Sequence, residues 1–141
     1  MNREQLKGIL PHREPMLLVD EAEIVSGEEG LAAKGRYTVR GDEFFLQGHF
    51  PGNPVVPGVI QCEMMAQTCG VLMSAIPGAA GKTPLYTGLN KVKFKRQVRP
   101  GDTIEFFCRL TAQKNIFCFA EGKGTVEGEV CVQGEFSFAL V

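Results

Sequence analysis

Residues 31–39 alternate without a slip. Leu31, Ala33, Gly35, Tyr37 and Val39 fall on one side, and Ala32, Lys34, Arg36 and Thr38 on the other. A period of two marks a strand with one buried face. A second strand is expected just before it, over 17–26, joined through the turn-prone tetrad Gly27-Glu28-Glu29-Gly30. The alternation returns downstream, where Ile104, Phe106, Cys108 and Leu110 oppose Glu105 and Arg109. Residues 116–126 form another strand, after which Glu127-Gly128 turns the chain back. Val130, Val132, Phe136, Phe138 and Leu140 then share one face, with Gly134 among them. Residues 85–98 are rich enough in β formers to make one long strand. One sizeable helix stands against these, over 57–76 and closed by Pro77-Gly78. Pro57 suits its first position, where the missing N–H costs nothing. A short helical turn is expected at 3–9. The order is strand, strand, helix, then four strands.

The long helix is apolar nearly all round: Val59, Ile60, Met64, Met65, Val71, Leu72 and Met73. A helix without a polar face is buried on every side, here most simply by an antiparallel sheet wrapped around it, an α+β arrangement. One sheet of a 141-residue chain hardly covers such a helix, so a partner subunit is expected. That length fits one domain, 1–141, long enough to bury about two-thirds of its unfolded surface. The chain shows no repeat, linker or low-complexity tract.

Composition narrows the function classes. A formal charge of −1 excludes a broadly basic nucleic-acid binder. The five cysteines (Cys62, Cys69, Cys108, Cys118, Cys131) are odd in number, form no CxxC, and sit in apolar segments, as small buried hydrophobes in a reducing compartment do. The opening MNREQLKGILPHREP lacks the apolar core of a signal peptide, and Gln61, Glu63, Gln67 and Thr68 break the best membrane-span candidate. A cytoplasmic protein is expected.

Two residues stand out locally. Glu63 interrupts the greasy helix, and an unpaired carboxylate buried there costs several kcal/mol or else keeps its proton. Gln67, four residues on, shares its face and can hydrogen-bond it. A purely structural glutamate satisfied by Gln67 and backbone stands beside any functional reading. Fourteen residues earlier, His49 lies in GHFPGNPVVPG, whose three glycines and three prolines across 48–58 preclude regular structure. Reactive side chains tend to sit on such loops, although a lone histidine there is more often structural. The other histidine, His12, has no comparable setting. Metal binding is poorly served by two histidines and one helix acid without HExxH. GxSxG, GxxxxGK[ST] and GxGxxG are all absent, and no positive neighbour activates Cys62 or Cys69. General acid–base work by a His–Glu pair near a helix N-terminus remains. Lys91, Lys93 and Lys95, extended by Arg96 and Arg99, put five positive charges in nine residues, either a solvated face or a landing strip for an acidic partner.

"LPHREPMLLVD", "QGHFPGNPVVPGVIQCEMMAQ" and "KVKFKRQVRPGD" resemble, in order, the motifs of the FabZ-type (3R)-hydroxyacyl-acyl-carrier-protein dehydratases. The resemblance spans 9–102 and implies the hot-dog fold, an antiparallel sheet around one long helix. It implies cofactor-free elimination of water from a β-hydroxyacyl thioester, giving the trans-2-enoyl thioester of fatty-acid synthesis. By that resemblance His49 is the catalytic histidine and Glu63 the catalytic acid. Gly58 offers its N–H to the thioester carbonyl. The His and Glu of one site come from different subunits of a dimer, which commonly assembles further as a trimer of dimers. In this reading Gln67 orients Glu63, and Phe50 with helix side chains lines an acyl tunnel. Lys93, Lys95 and Arg96 meet the acidic acyl carrier protein. Burial would keep Glu63 protonated as the acid. The related dehydratase–isomerase branch carries Asp at the Glu63 position and is longer, which favours the enzyme without isomerase activity. Two departures stand out. Glu14 replaces a usual aromatic, bearing on the packing of the opening segment, and Gln61-Cys62 replaces a more aliphatic pair, bearing on the tunnel. Two other readings are open: a hot-dog thioesterase using a positioned water, and a non-catalytic acyl-binding module.

Overall fold

A computed structural model describes residues 1–27 and 30–141. Glu28 and Glu29, in the expected first turn, lie outside the described residues. The elements run α1 (Arg3–Leu6), β1 (Glu21–Gly27), β2 (Gly30–Thr38), a 3-10 turn (Phe44–Leu46), α2 (Gly58–Met73), β3 (Pro84–Phe94), β4 (Thr103–Lys114), β5 (Phe117–Val126) and β6 (Glu129–Leu140). All six strands join one antiparallel sheet in the order β1-β2-β4-β5-β6-β3. The sheet wraps α2, as the α+β hot-dog arrangement requires.

The alternating patterns give the packing directly. Ala33, Tyr37, Ile104, Phe106, Cys108, Val132, Phe136 and Phe138 are buried in one core with Met64, Met65, Cys69 and Leu72 of α2. Each fully buried side chain of this kind contributes roughly 1.5–3 kcal/mol. Strand and helix approach most closely at Gly35, where an added Cβ would lie 2.5 Å from Thr68 Oγ1. A side chain there would push the helix off the sheet.

Three expectations are corrected. The strand expected from residue 17 begins only at Glu21, because the backbone before it bonds elsewhere. Leu18 N–H donates to Gln67 Oε1 (2.8 Å) and Leu17 C=O accepts from Arg3 (2.9 Å). The strand expected to reach residue 98 ends at Phe94, and the Val98 carbonyl instead accepts from Val56 N–H (2.8 Å), pinning the loop that precedes α2. The helix is shorter than expected and Pro57 is its N-cap, not its first residue. The chain itself covers most of α2: from 61 to 73 every residue but Glu63 is buried. Only the first turn is left open, where Val59 is 76% exposed, so the apolar helix surface left for a partner is confined to that end. Loops and the opening segment supply what the sheet alone could not.

Exposed apolar surface lies elsewhere. β3 is an edge strand exposed along most of its length, and it carries Leu85, Tyr86, Leu89 and Phe94 with 40–52% of their surface open. Leu6, Leu10, Leu17 and Val19 of the opening segment pack with Ala22 of β1 and Val71 of α2 as a satellite cluster. Glu14 takes no part in it, pairing instead with Lys7 (3.1 Å) and Arg3 (3.6 Å), so the missing aromatic does not undo the packing. Among the described residues, no helix is long and apolar enough to cross a membrane.

Candidate active site

The Gly-Pro loop is irregular but tightly bonded. His49 C=O accepts from Val55 N–H (2.8 Å), and His49 Nδ1 lies 2.8 Å from Val55 C=O. Phe50 and Asn53 exchange both backbone hydrogen bonds, at 3.0 and 2.9 Å, and Arg99 holds the Asn53 side chain. A carbonyl only accepts, so Nδ1 of His49 carries the hydrogen and Nε2 holds the free lone pair. The Phe50 ring stacks on the His49 ring at 4.3 Å and is 54% exposed.

The loop delivers the chain into α2 at Gly58, whose N–H is among those at a helix start without an intrahelical partner. A Cβ here would lie 2.8 Å from the Phe94 ring of β3, so any larger residue requires that ring to move.

Glu63 occupies a polar notch. Its side chain is 23% exposed, which corrects the expectation of an acid sealed in apolar surroundings. Gln67, only 1% exposed, donates to Glu63 Oε1 (2.9 Å) as the i+4 spacing led one to expect. The same amide donates to Met16 C=O and accepts from Leu18 N–H, both at 2.8 Å, so its orientation is fixed on three sides. His12 Nε2 stands 3.4 Å from Glu63 Oε1. In the sequence this residue has no setting comparable to that of His49; its one signal is its place in "LPHREP", next to Pro11 and Arg13. The recess beside Glu63 has a volume of about 40 Å³ and is bordered by His12, Ala66, Gln67, Tyr86 and Phe138. That is room for one or two waters, roughly, and far too little for an acyl chain. Tyr86 donates to Cys62 C=O (2.9 Å), and burial pushes its phenol well above the usual value. Burial likewise raises the thiols of Cys62, Cys69, Cys118 and Cys131, the opposite of what a nucleophile needs.

Among the described residues no hydrogen bond or ion pair joins His49 to Glu63, and their partners are separate. The basic strip is thinner than its sequence. Arg96 is engaged by Glu129 (3.2 Å) and Asp102 (3.8 Å), and Lys91 approaches Glu135 (3.8 Å). Lys93 and Lys95 are exposed and make no ion pair among the described residues.

Residues 10–135 match the FabA-like domain family. The chain is 48% identical over 132 residues to the 3-hydroxyacyl-[acyl-carrier-protein] dehydratase FabZ of Caldicellulosiruptor saccharolyticus, covering 94% of this chain and 93% of that protein. It is 39% identical over 140 residues to FabZ of Clostridium beijerinckii, covering 99% of each. The chain belongs to the FabZ dehydratase family. Among solved structures, the dehydratase heterocomplex ApeI:P from Xenorhabdus doucetiae superposes with a TM-score of 0.80 at 24% identity, covering 96% of this chain and 90% of that one. The putative thioesterase yhdA from Lactococcus lactis gives 0.74 at 15% identity, covering 92% and 97%. Dehydratase and thioesterase names thus share this fold, and it is the sequence relationship that selects the FabZ family.

Proposed function

We propose that His49 of one subunit and Glu63 of its partner carry out the FabZ reaction between them. As a member of that family the chain is a hydro-lyase of fatty-acid synthesis, converting (3R)-hydroxyacyl-acyl-carrier-protein to the trans-2-enoyl thioester. The observation that carries the assignment is the Val55 carbonyl on His49 Nδ1, which leaves Nε2 as the basic nitrogen. Nε2 takes a proton from the carbon next to the thioester carbonyl. The electron pair released forms the new double bond as the bond from the β-carbon to the hydroxyl oxygen breaks. Hydroxide leaves badly, so Glu63 gives that oxygen its proton and water departs. Charge growing on the thioester oxygen meets the Gly58 N–H at the start of α2. The proton on His49 and the one missing from Glu63 restore the site through solvent.

A shared site needs a dimer, and the exposed edge strand β3 supports one. Pairing β3 with the same strand of a second copy removes an open edge and covers Leu85, Leu89 and Phe94. Val59 (76% exposed) and Phe50, flanking Gly58 and His49, are apolar surfaces of the kind a partner covers. Such dimers would assemble further, as a trimer of dimers. The acyl chain runs in a tunnel closed by the partner and lined by Phe50 and α2 side chains, with Gln61 and Cys62 at its wall. Lys93 and Lys95 supply the free charge that receives the acidic carrier protein, with Arg96 beside them. Residues 1–141 act as one hot-dog domain, free of any cofactor. Five free, buried thiols support a cytoplasmic setting.

The test is complementation. His49→Ala and Glu63→Gln should each cut turnover of 3-hydroxybutyryl carrier protein by at least about 10²-fold with the oligomer intact. Mixed one to one after dissociation and reassembly, the two dead proteins should recover about a quarter of wild-type activity, because about half the dimers then hold one complete site. No recovery would sink the shared site, a fully active Glu63→Gln would sink the acid, and release of free carrier thiol would mark a thioesterase.

A further inference from the structure

Two nitrogens converge on Glu63 and face the same oxygen, one as a hydrogen-bond donor and one at ion-pair range. Gln67 Nε2 lies 2.9 Å from Oε1, and His12 Nε2 lies 3.4 Å from it. Oε2 has no protein partner among the described residues. The Gln67 amide cannot be turned around, because its own Oε1 already accepts the Leu18 N–H, so a nitrogen must face Glu63. For His12 the tautomer follows from its other side. Nδ1 is buried and has no hydrogen-bond partner among the described residues. A buried N–H without an acceptor is rarer and costlier than a bare acceptor, so the hydrogen belongs on Nε2, aimed at Glu63.

We propose that His12 is a positioning residue that, with Gln67, fixes Oε1 of Glu63 as the carbonyl-like oxygen and so places the transferable proton on Oε2. The inference rests on Glu63 being the catalytic acid. An oxygen that accepts the Gln67 N–H at 2.9 Å and faces the His12 Nε2 at 3.4 Å cannot also carry a proton without displacing one nitrogen or the other. The acid is therefore directional: its proton sits on the oxygen the protein leaves free, where a substrate hydroxyl can take it.

His12 is held for this task by its neighbour. The Arg13 guanidinium binds three carbonyls of the opening segment, those of Lys7 (3.1 Å), Leu10 (2.9 Å) and His12 itself (2.7 Å). Leu10 is anchored in the satellite cluster, so the Pro11-His12-Arg13 segment is tied to packed structure on one side and clasped on the other. The remaining ionisable group on the recess is Tyr86, whose hydroxyl is committed to Cys62 C=O and does not compete for Glu63. This assigns a role to a histidine that the reaction as described does not use.

The test uses the full chain with His12→Leu, His12→Gln and His12→Asn. A glutamine amide can place a nitrogen where Nε2 stands, whereas an asparagine amide reaches only to the position of Nδ1. With 3-hydroxybutyryl carrier protein, His12→Leu should lower kcat about tenfold, the upper end of what one neutral N–H contact contributes. KM, oligomeric state and Tm should hardly move. His12→Gln should restore most of kcat, and His12→Asn should not. Long-range proton–nitrogen NMR of the wild-type protein should show His12 protonated at Nε2, a result independent of turnover. A wild-type enzyme active on this substrate together with a His12→Leu variant of full kcat overturns this inference alone. So does a loss traced to KM or Tm, equal kcat in the Gln and Asn variants, or a His12 protonated at Nδ1. A wild-type protein that fails to dehydrate the substrate overturns the parent reading and this inference with it.

Discussion

Replacing Gln67 by leucine removes three hydrogen bonds while changing side-chain volume little, and the three losses are unequal. Leu18 is 1% exposed, so the N–H that Gln67 Oε1 accepts at 2.8 Å has no route to water once the amide is gone. An orphaned buried donor costs about 1–3 kcal/mol. Met16 is 39% exposed and its carbonyl can turn to solvent, so losing the 2.8 Å bond from Nε2 costs little. Glu63 is partly exposed and keeps His12, so its loss falls on catalysis more than on stability. The apolar leucine offsets part of the penalty in a dry site. The expected result is a loss of about 2 kcal/mol, read as a lower urea midpoint at unchanged m and fixed protein concentration. The Leu18 amide should exchange with solvent faster than in the wild type, while amides of the β4–β5 ladder keep their protection relative to global stability. Gln67→Glu is the control: it retains an acceptor for Leu18 but surrenders both donors and sets a second carboxyl against Glu63, so it should lose more activity than stability. If Gln67→Leu costs less than about 0.5 kcal/mol, or Leu18 exchange is unchanged, then Gln67 does not hold the 16–18 segment and the account of where β1 begins is wrong.

Two further predictions concern the frame around the site. Gly35→Ala should cost about 1–3 kcal/mol by overpacking β2 against Thr68, and Thr68→Ala in the same chain should recover most of it, measured by thermal melts; a neutral single variant would deny the close approach. Glu43, with 4% of its side chain exposed, accepts from Gly41 N–H (2.7 Å), Tyr37 OH (2.8 Å) and Arg40 N–H (2.9 Å). Burial pushes its carboxyl up, but the Arg40 and Gly41 N–H groups and the Tyr37 hydroxyl outweigh that and hold it below the ordinary value of 4.5. A lowered folded value means the stabilisation is complete above about pH 4.5 and lost as pH falls through the folded value. Glu43→Gln should therefore be less stable at neutral pH, with the gap closing in acid; stability curves that stay parallel below pH 4.5 would contradict this.

The strand faces were legible because a sheet with one buried side writes a period of two into the chain. β2, β4 and β6 bury most of the residues that alternation picked out, from Tyr37 to Phe138, while Leu31, Leu110 and Val130 are half-buried and Ala32, expected outside, is buried. Element ends were not legible where apolar residues bond outside the ladder. Residues 17–20 and 95–98 have strand-like composition, yet Leu18 goes to a helix side chain and Val98 to the loop before α2. Composition records that a segment is buried or β-prone; it does not record which partner its backbone finds. The same limit applies to the helix, whose covering over 61–73 by loops and by the opening segment leaves no trace in its own sequence.

His49 and Glu63 could be found because each violates its surroundings, a histidine among glycines and prolines and an acid in an apolar helix. His12 violates nothing, and only the folding of the opening segment onto α2 brings it to Glu63. The supports of the two principal residues are disjoint: Val55 serves His49, while Gln67 and His12 serve Glu63. Each half-site is therefore finished within its own chain before any partner arrives. Loss of His49 leaves the Glu63 geometry intact, and loss of Glu63 leaves the Val55 clasp intact. That independence is the physical condition under which two inactive variants can complement. It also separates damage to a half-site from damage to docking: a change at Gln67 spoils the acid of its own chain, so that chain should be complemented by His49→Ala, which brings an intact acid, and not by Glu63→Gln.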